Sequence, residues 1–241
     1  MENLTNILEK NKGGKLLAIF PHPDDECFLS GGLFQVAKKY NLKTYLLCLT
    51  KGGKGLNALN NGNIKKIRYK ELLKSTKLLK INKIFLYDFE DANLRNTIDI
   101  WLPEVKKIIK KIHPQIVITF DPSGITGHPD HIVTCIQVLK TFREIAKPSF
   151  LLWRVPDRLE IKEFKENKSL SFAQKPNYFL KYSLKQKLTK IKAILSHQSQ
   201  LKGLKYKILI IIESLINRKE YYFRVDVKRR YKAKYYKYEI D

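Results

Sequence analysis

The chain has 241 residues, an apolar fraction of 44%, and 47 lysines and arginines against 23 acids, for a formal net charge of +24. That length is within reach of one α/β domain or two small ones, and the apolar share supplies a buried core. No stretch approaches the roughly 20 apolar residues that cross a bilayer, and residues 1–5 lack the apolar run of a secretory signal, so a cytoplasmic protein is expected.

Residues 15–20 form a short apolar run without alternation, as in a strand buried on both faces. Pro21 and Pro23 stop it, and 28–40 reads as a helix. A second buried strand at 44–49 ends in the glycine-rich loop Lys51-Gly52-Gly53-Lys54-Gly55. Residues 64–79 have helical spacing, 83–87 form a third strand, and 98–112 form a helix with Trp101, Val105, Ile108 and Ile109 on one stripe. A fourth strand at 115–120 leads through a loop to a helix from about 130 to 144, and 149–155 suits a fifth strand. This alternation predicts a Rossmann-like, mostly parallel sheet with helices on both faces. After Pro156 the pattern loosens into dense charge at 160–168. Helical segments follow at 184–195 and 198–218, with a late strand at 221–227. With no repeat and no linker, residues 1–241 are read as one domain with a basic C-terminal elaboration from about 156.

Ligands of such sheets bind beyond the carboxyl ends of the strands. The loops carrying His22, Gly52 and His128 all follow strands, so three distant segments are expected to meet. His22 and Asp25 sit three apart with a rigid proline between them. Gly127-His128-Pro129-Asp130-His131 offers two more imidazoles. Two histidines and one carboxylate make a three-ligand set with open positions, which suits a catalytic rather than a structural zinc. The competing reading of a lone Asp24 is a helix cap.

Phe20-Pro21-His22-Pro23-Asp24-Asp25-Glu26 taken with Gly127-His128-Pro129-Asp130-His131 resembles the PIG-L/LmbE-like family of zinc-dependent N-acetylglucosaminyl deacetylases. The likeness extends to Thr50-Lys51-Gly52, Arg68 with Glu71, Phe120-Asp121-Pro122 and Ser196-His197-Gln198-Ser199-Gln200. It implies Zn2+ on His22, Asp25 and His131, with Asp24 as general base. It implies His128, in its charged form, as the group that stabilises the oxyanion. Asp130 is expected to orient His128, Glu26 to support the ligands from behind, and Arg68 and Asp91 to bind substrate. Gly53 stands where the family usually carries an acid, and Phe89-Glu90-Asp91-Ala92 only approximates its Pro-Asp-Gly turn. The implied substrate is an N-acetylated amino sugar, as a small conjugate or a glycolipid.

The net charge supports a different class of function: binding of nucleic acid or an anionic membrane on a related scaffold. The lysines are spread along the whole chain, no nucleic-acid-binding motif accompanies them, and a lysine-rich coding bias explains them as well. The apolar, lysine-edged segment 204–216 could lay the protein against a membrane peripherally. The interleaved aromatics of the tail, from Tyr221 to Tyr238, read as a strand face followed by a basic end. A zinc amidase for another acyl group is a further alternative within enzymes. His197 either approaches the site or fills packing, and packing is the reading taken. The three cysteines are separated and odd in number, which suits small buried residues in a reducing compartment.

Overall fold

The computed structural model describes residues 1–60, 62–144, 150–203, 208 and 219–233. A two-residue strand β1 (Glu2–Asn3) and helix α1 (Thr5–Lys10) precede β2 (Lys15–Phe20). Helix and strand then alternate: α2 (Asp25–Ala37), β3 (Lys43–Thr50), α3 (Ile64–Leu79), β4 (Lys83–Phe89), α4 (Ile98–Ile112), β5 (Ile116–Phe120), α5 (Pro129–Glu144) and β6 (Phe150–Arg154). The later part adds α6 (Arg158–Glu163), β7 (Tyr178–Lys181), α7 (Leu184–Ile194) and β8 (Lys219–Arg224).

The strands form one sheet in the order β1-β7-β8-β6-β5-β2-β3-β4. All pairings are parallel except those of β8, which runs antiparallel to β6 and β7. This is the expected mostly parallel sheet. From β2 the chain winds outward to β3 and β4, then returns to β5 and β6 on the other side. The carboxyl ends of β2 and β5 therefore flank a topological switch point, where a ligand crevice opens. Both histidine motifs leave the sheet there.

The elements follow the apolar pattern closely. β5 is buried at every position, as befits a strand covered on both faces. In α4, Trp101, Val105, Ile108, Ile109 and Ile112 are buried at helical spacing, and Trp101 Nε1 donates to the Leu94 carbonyl at 2.7 Å. Helices α2, α3 and α7 pack together, as do α4 and α5. Right-handed crossovers place these two groups on opposite faces of the sheet.

Three departures have physical reasons. α2 begins at Asp25, three residues earlier than its apolar pattern, because Asp25 and Glu26 suit a first turn. α2 also breaks its helical geometry at Ser30, where the amides of Gly32 and Leu33 donate instead to Glu220 of β8 at 2.7 and 2.9 Å. Lys190 and Tyr222 complete that buried carboxylate's shell at 2.7 and 2.9 Å. Finally, β1, α1, β7 and α6 were not expected. The first three are too short for periodicity to reveal, whereas α6 carries a capping box between Asp157 and Glu160. Most of segment 204–216, the greater part of the 198–218 helical region, and Tyr235, Tyr236 and Tyr238 lie outside the described residues. No helix among the described residues is long and apolar enough to cross a membrane.

Candidate active site

Pro21 and Pro23 end the β2 ladder, and the chain turns into α2 through Asp24. That residue has φ 108° and ψ −32°, a conformation that costs a non-glycine residue about 1–3 kcal/mol unless its surroundings hold it. They do. The Asp24 amide donates to Glu26 Oε2 at 2.9 Å, and its carbonyl accepts from the amides of Cys27 and Phe28. Arg68 of α3 donates to Asp24 Oδ2 at 3.0 Å, to the Pro23 carbonyl, and to the Gly52 carbonyl at 3.2 Å. Gly52, at φ 65°, and Gly55 pass so close to this guanidinium that a Cβ on either would run into it. The glycine-rich loop after β3 therefore cradles Arg68.

The loop after β5 is held partly by its own residues and partly by the segment Asn167–Gln174. Asp121 accepts from the Ser123 hydroxyl and amide at 2.5 and 3.2 Å and from the Gln174 amide at 3.0 Å. Complete burial pushes the Asp121 carboxyl up to about 7 despite those donors. His131, in the first turn of α5, donates from Nδ1 to the Gly124 carbonyl at 3.0 Å and stacks on Phe120 with ring centroids 3.9 Å apart. Its Nε2 lone pair is thereby aimed back at β2. Burial and the neighbouring His22 hold the His131 imidazole well below its ordinary range.

The two loops meet at His22. Its Nε2 lies 3.1 Å from Asp91 and 3.3 Å from Asp130, so a proton belongs on that nitrogen. Its Nδ1 lies 3.1 Å from His131 Nε2 and 3.7 Å from Asp25 Oδ2, and His131 Nε2 lies 3.6 Å from Asp25 Oδ1. Ligand atoms around one tetrahedral zinc, each 2.0–2.2 Å away, stand about 3.3–3.6 Å from one another. The triangle of His22, Asp25 and His131 comes near that spacing edge by edge, with each histidine facing a different Asp25 oxygen. Two imidazole lone pairs 3.1 Å apart also repel unless a proton or a cation stands between them, so this donor set fits a divalent cation. Among the described residues, His22, His128 and His131 form one group able to share an ion, and His22, Asp91, His128 and Asp130 form another.

The electrostatics follow from burial among carboxylates. Burial opposes a charge on His22, yet Asp130, Asp91 and Asp25 outweigh it and push its pKa up to about 10. Burial raises Asp24, and it raises Asp25 to about 8. Burial alone would also raise Asp91, but His22 holds its carboxyl well below the usual range.

Several expected roles change. Arg68, expected to bind substrate, is buried, bonds to the Asp24 loop and also lines the cavity. The Asp91 carboxylate spends itself on His22 and on the Lys54 amide at 2.7 Å. The Asp130 carboxylate faces His22 and the amides of Ala92 and Leu94, not His128. Only the Asp130 backbone amide reaches His128, donating to Nδ1 at 3.1 Å. That bond leaves the His128 proton on Nε2. With Nδ1 accepting, the ring offers its donor from Nε2, where the charged form was expected to offer both nitrogens; burial and then His22 also lower its pKa. Glu26, expected to support the ligands, takes the Asp24 amide instead, and His197 is fully buried with Nε2 2.9 Å from Glu26 Oε1.

A cavity of about 460 Å³ opens over the cluster, with His22, Asp24, Asp25, Asp91, His128 and His131 in its lining. Leu159 of α6, Phe164 just after it, and Lys187, Lys190, Ile191 and Ile194 of α7 also line it. Sequence reasoning missed this part of the lining. Helix α7 was expected at 184–195 but α6 was not, and the capping box Asp157–Glu160 was the signal that could have placed α6.

A doubly wound α/β sheet with a histidine–carboxylate cluster at its switch point defines the general class. More specifically, residues 17–141, over half of the chain, match the family model described as PIG-L, GlcNAc-PI de-N-acetylase, and the protein belongs to that family. A Bacillus anthracis protein described as a probable N-acetyl-alpha-D-glucosaminyl L-malate deacetylase 2 is 32% identical over 145 residues, 56% of this chain and 63% of its own length. The diacetylchitobiose deacetylase of Thermococcus kodakarensis is 28% identical over 194 residues, covering 77% of this chain and 70% of the relative. The N,N'-diacetylchitobiose deacetylase structure from Pyrococcus horikoshii superposes with a TM-score of 0.70 at 23% identity, over 93% of this chain and 91% of that one, which shows the shared fold.

Proposed function

We propose that the protein is a zinc-dependent hydrolase that removes the acetyl group from an N-acetylglucosamine-containing small molecule or glycolipid, releasing acetate and a free amine. The observation that carries this reading is the triangle of His22 Nδ1, Asp25 and His131 Nε2, with the Asp24 carboxylate beside it in the same cavity. The family, and relatives described as deacetylases of a malate glucosaminide and of diacetylchitobiose, support the substrate class.

In this reading His22, Asp25 and His131 hold the zinc. The ion supplies Lewis acidity to the acetamide carbonyl and lowers the pKa of water. Asp24 takes the proton from the attacking water, and Arg68 keeps one of its carboxylate oxygens turned away so that the other faces the cavity. His128 donates from Nε2 to the oxygen on which charge develops. Asp91 and Asp130 fix the His22 ring so that Nδ1 faces inward. Asp24 then returns its proton to the departing nitrogen.

The fold after 156 is an elaboration of a single domain in this account, because its strands continue the same sheet. In this account the protein acts in the cytoplasm, and the apolar, lysine-edged sequence of 204–216 gives it peripheral contact with an anionic membrane; unchanged vesicle partitioning after deletion of that segment would remove the contact from the account. The test of function is zinc content together with amine release from a panel of N-acetylhexosamine conjugates. One zinc per chain and release from at least one conjugate is expected; a zinc-loaded protein silent on the whole panel refutes the reading.

A further inference from the structure

Asp24 combines two demands that conflict. It must hold its carboxylate over the cavity, and it does so from a backbone conformation that an aspartate adopts reluctantly. The contact that meets its amide comes from Glu26 Oε2, at 2.9 Å. A glutamate side chain can point that oxygen at the amide only if its own rotation is fixed. The other oxygen, Oε1, receives two donors: the Ser75 hydroxyl of α3 and His197 Nε2 at 2.9 Å. Glu26, Ser75 and His197 are all buried, and His197 does not line the cavity.

His197 is itself fixed from the far part of the chain. It opens the turn whose Ser199 amide and hydroxyl donate to Glu71 at 2.7 and 2.6 Å. Gln200 Nε2 of the same turn donates to the Leu56 carbonyl at 2.7 Å, and the Ala58 amide donates to the Ser199 carbonyl at 2.9 Å. One turn thus ties α3, the glycine-rich loop and the back of the Asp24 turn together. It lies outside residues 17–141, the part that matches the family model.

We propose that His197 is a positioning residue for the hydrolysis: through Glu26 it holds the Asp24 backbone in its positive-φ conformation and so aims the Asp24 carboxylate. The inference rests on Asp24 being the base of the proposed reaction. A purely space-filling histidine would make a different demand, since any apolar side chain of similar volume would serve.

Three variants separate the two. His197→Leu fills the space without donating. His197→Gln places an amide nitrogen about where the imidazole Nε2 stood. Ser75→Ala removes the other donor with little loss of volume and replaces His197→Leu if that chain does not fold. In His197→Leu, kcat is expected to fall about tenfold to a hundredfold, the scale of a small misplacement of a reacting group, with KM within about twofold and zinc unchanged. His197→Gln is expected to recover most of that loss. Crystal structures are expected to show Asp24 leaving its positive φ in His197→Leu and keeping it in His197→Gln. Wild-type turnover and Asp24 geometry in His197→Leu, or equal losses in the leucine and glutamine variants, overturn the proposal. If the native protein releases no amine, the proposed reaction fails, while the Asp24 backbone readout still decides whether the brace exists.

Discussion

The loop after β2 and the loop after β5 face each other across the switch point, yet they are built in different ways. The first is short and strained, and side chains from elsewhere hold it: Arg68 on the Asp24 carboxylate, and Glu26 on its amide with Ser75 and His197 behind. The second closes partly on itself, with Asp121 on Ser123 and positive φ at Gly124, Ile125 and Gly127, and it is pinned from outside by Ser169, Asn167 and Gln174 at points away from the His131 ring. A strained base held by remote groups is sensitive to changes far from the chemistry. An imidazole held by its own loop's backbone is sensitive mainly to direct replacement.

That contrast can be broken or sharpened by substitution. The largest effect is expected for His131→Ala, which removes a lone pair from the triangle and abolishes both zinc binding and turnover; metal analysis after dialysis checks it. Next comes His128→Ala, which loses a donor to the developing charge but no ligand. Turnover is expected to fall about 10²–10³-fold with zinc retained, as measured by kcat and metal content on one preparation. A smaller loss follows Asp91→Ala. One of the two carboxylates behind His22 Nε2 is then missing, and zinc affinity is expected to weaken about 10–100-fold in competition with a chelator.

The smallest effect concerns stability alone. The folded-state pKa of Asp121 is raised by burial to about 7, so the native state binds a proton more readily there than the unfolded chain. Its favourable contribution is fully present below the unfolded value of about 3.9 and is lost as pH rises through about 7. Asp121→Asn is expected to flatten that decline, seen as a smaller change in Tm between about pH 4 and pH 7 than in the native protein.

Much of this architecture was legible in the residues. The runs at 15–20, 64–79 and 98–112 gave their elements at the bounds the structure shows, because burial on one stripe or on both faces leaves a direct pattern. The meeting of the two histidine motifs followed from strand-to-loop position alone. The partners of the polar groups did not follow. Arg68, Asp91 and Asp130 are each a charged residue near a loop, and their true contacts depend on how three segments cross in space. His197 shows the same limit. Packing was the correct expectation for its exposure, but only the fold reveals that it packs against the carboxylate holding Asp24.

The central claim is that two adjacent aspartates do separate work, Asp25 holding the metal and Asp24 moving the proton. Zinc content and amine release measured together on Asp24→Ala test it most directly. The account predicts about one zinc per chain, with turnover down about 10²–10⁴-fold, the usual contribution of a general base. Loss of zinc from that variant, or turnover near the native rate, would contradict it.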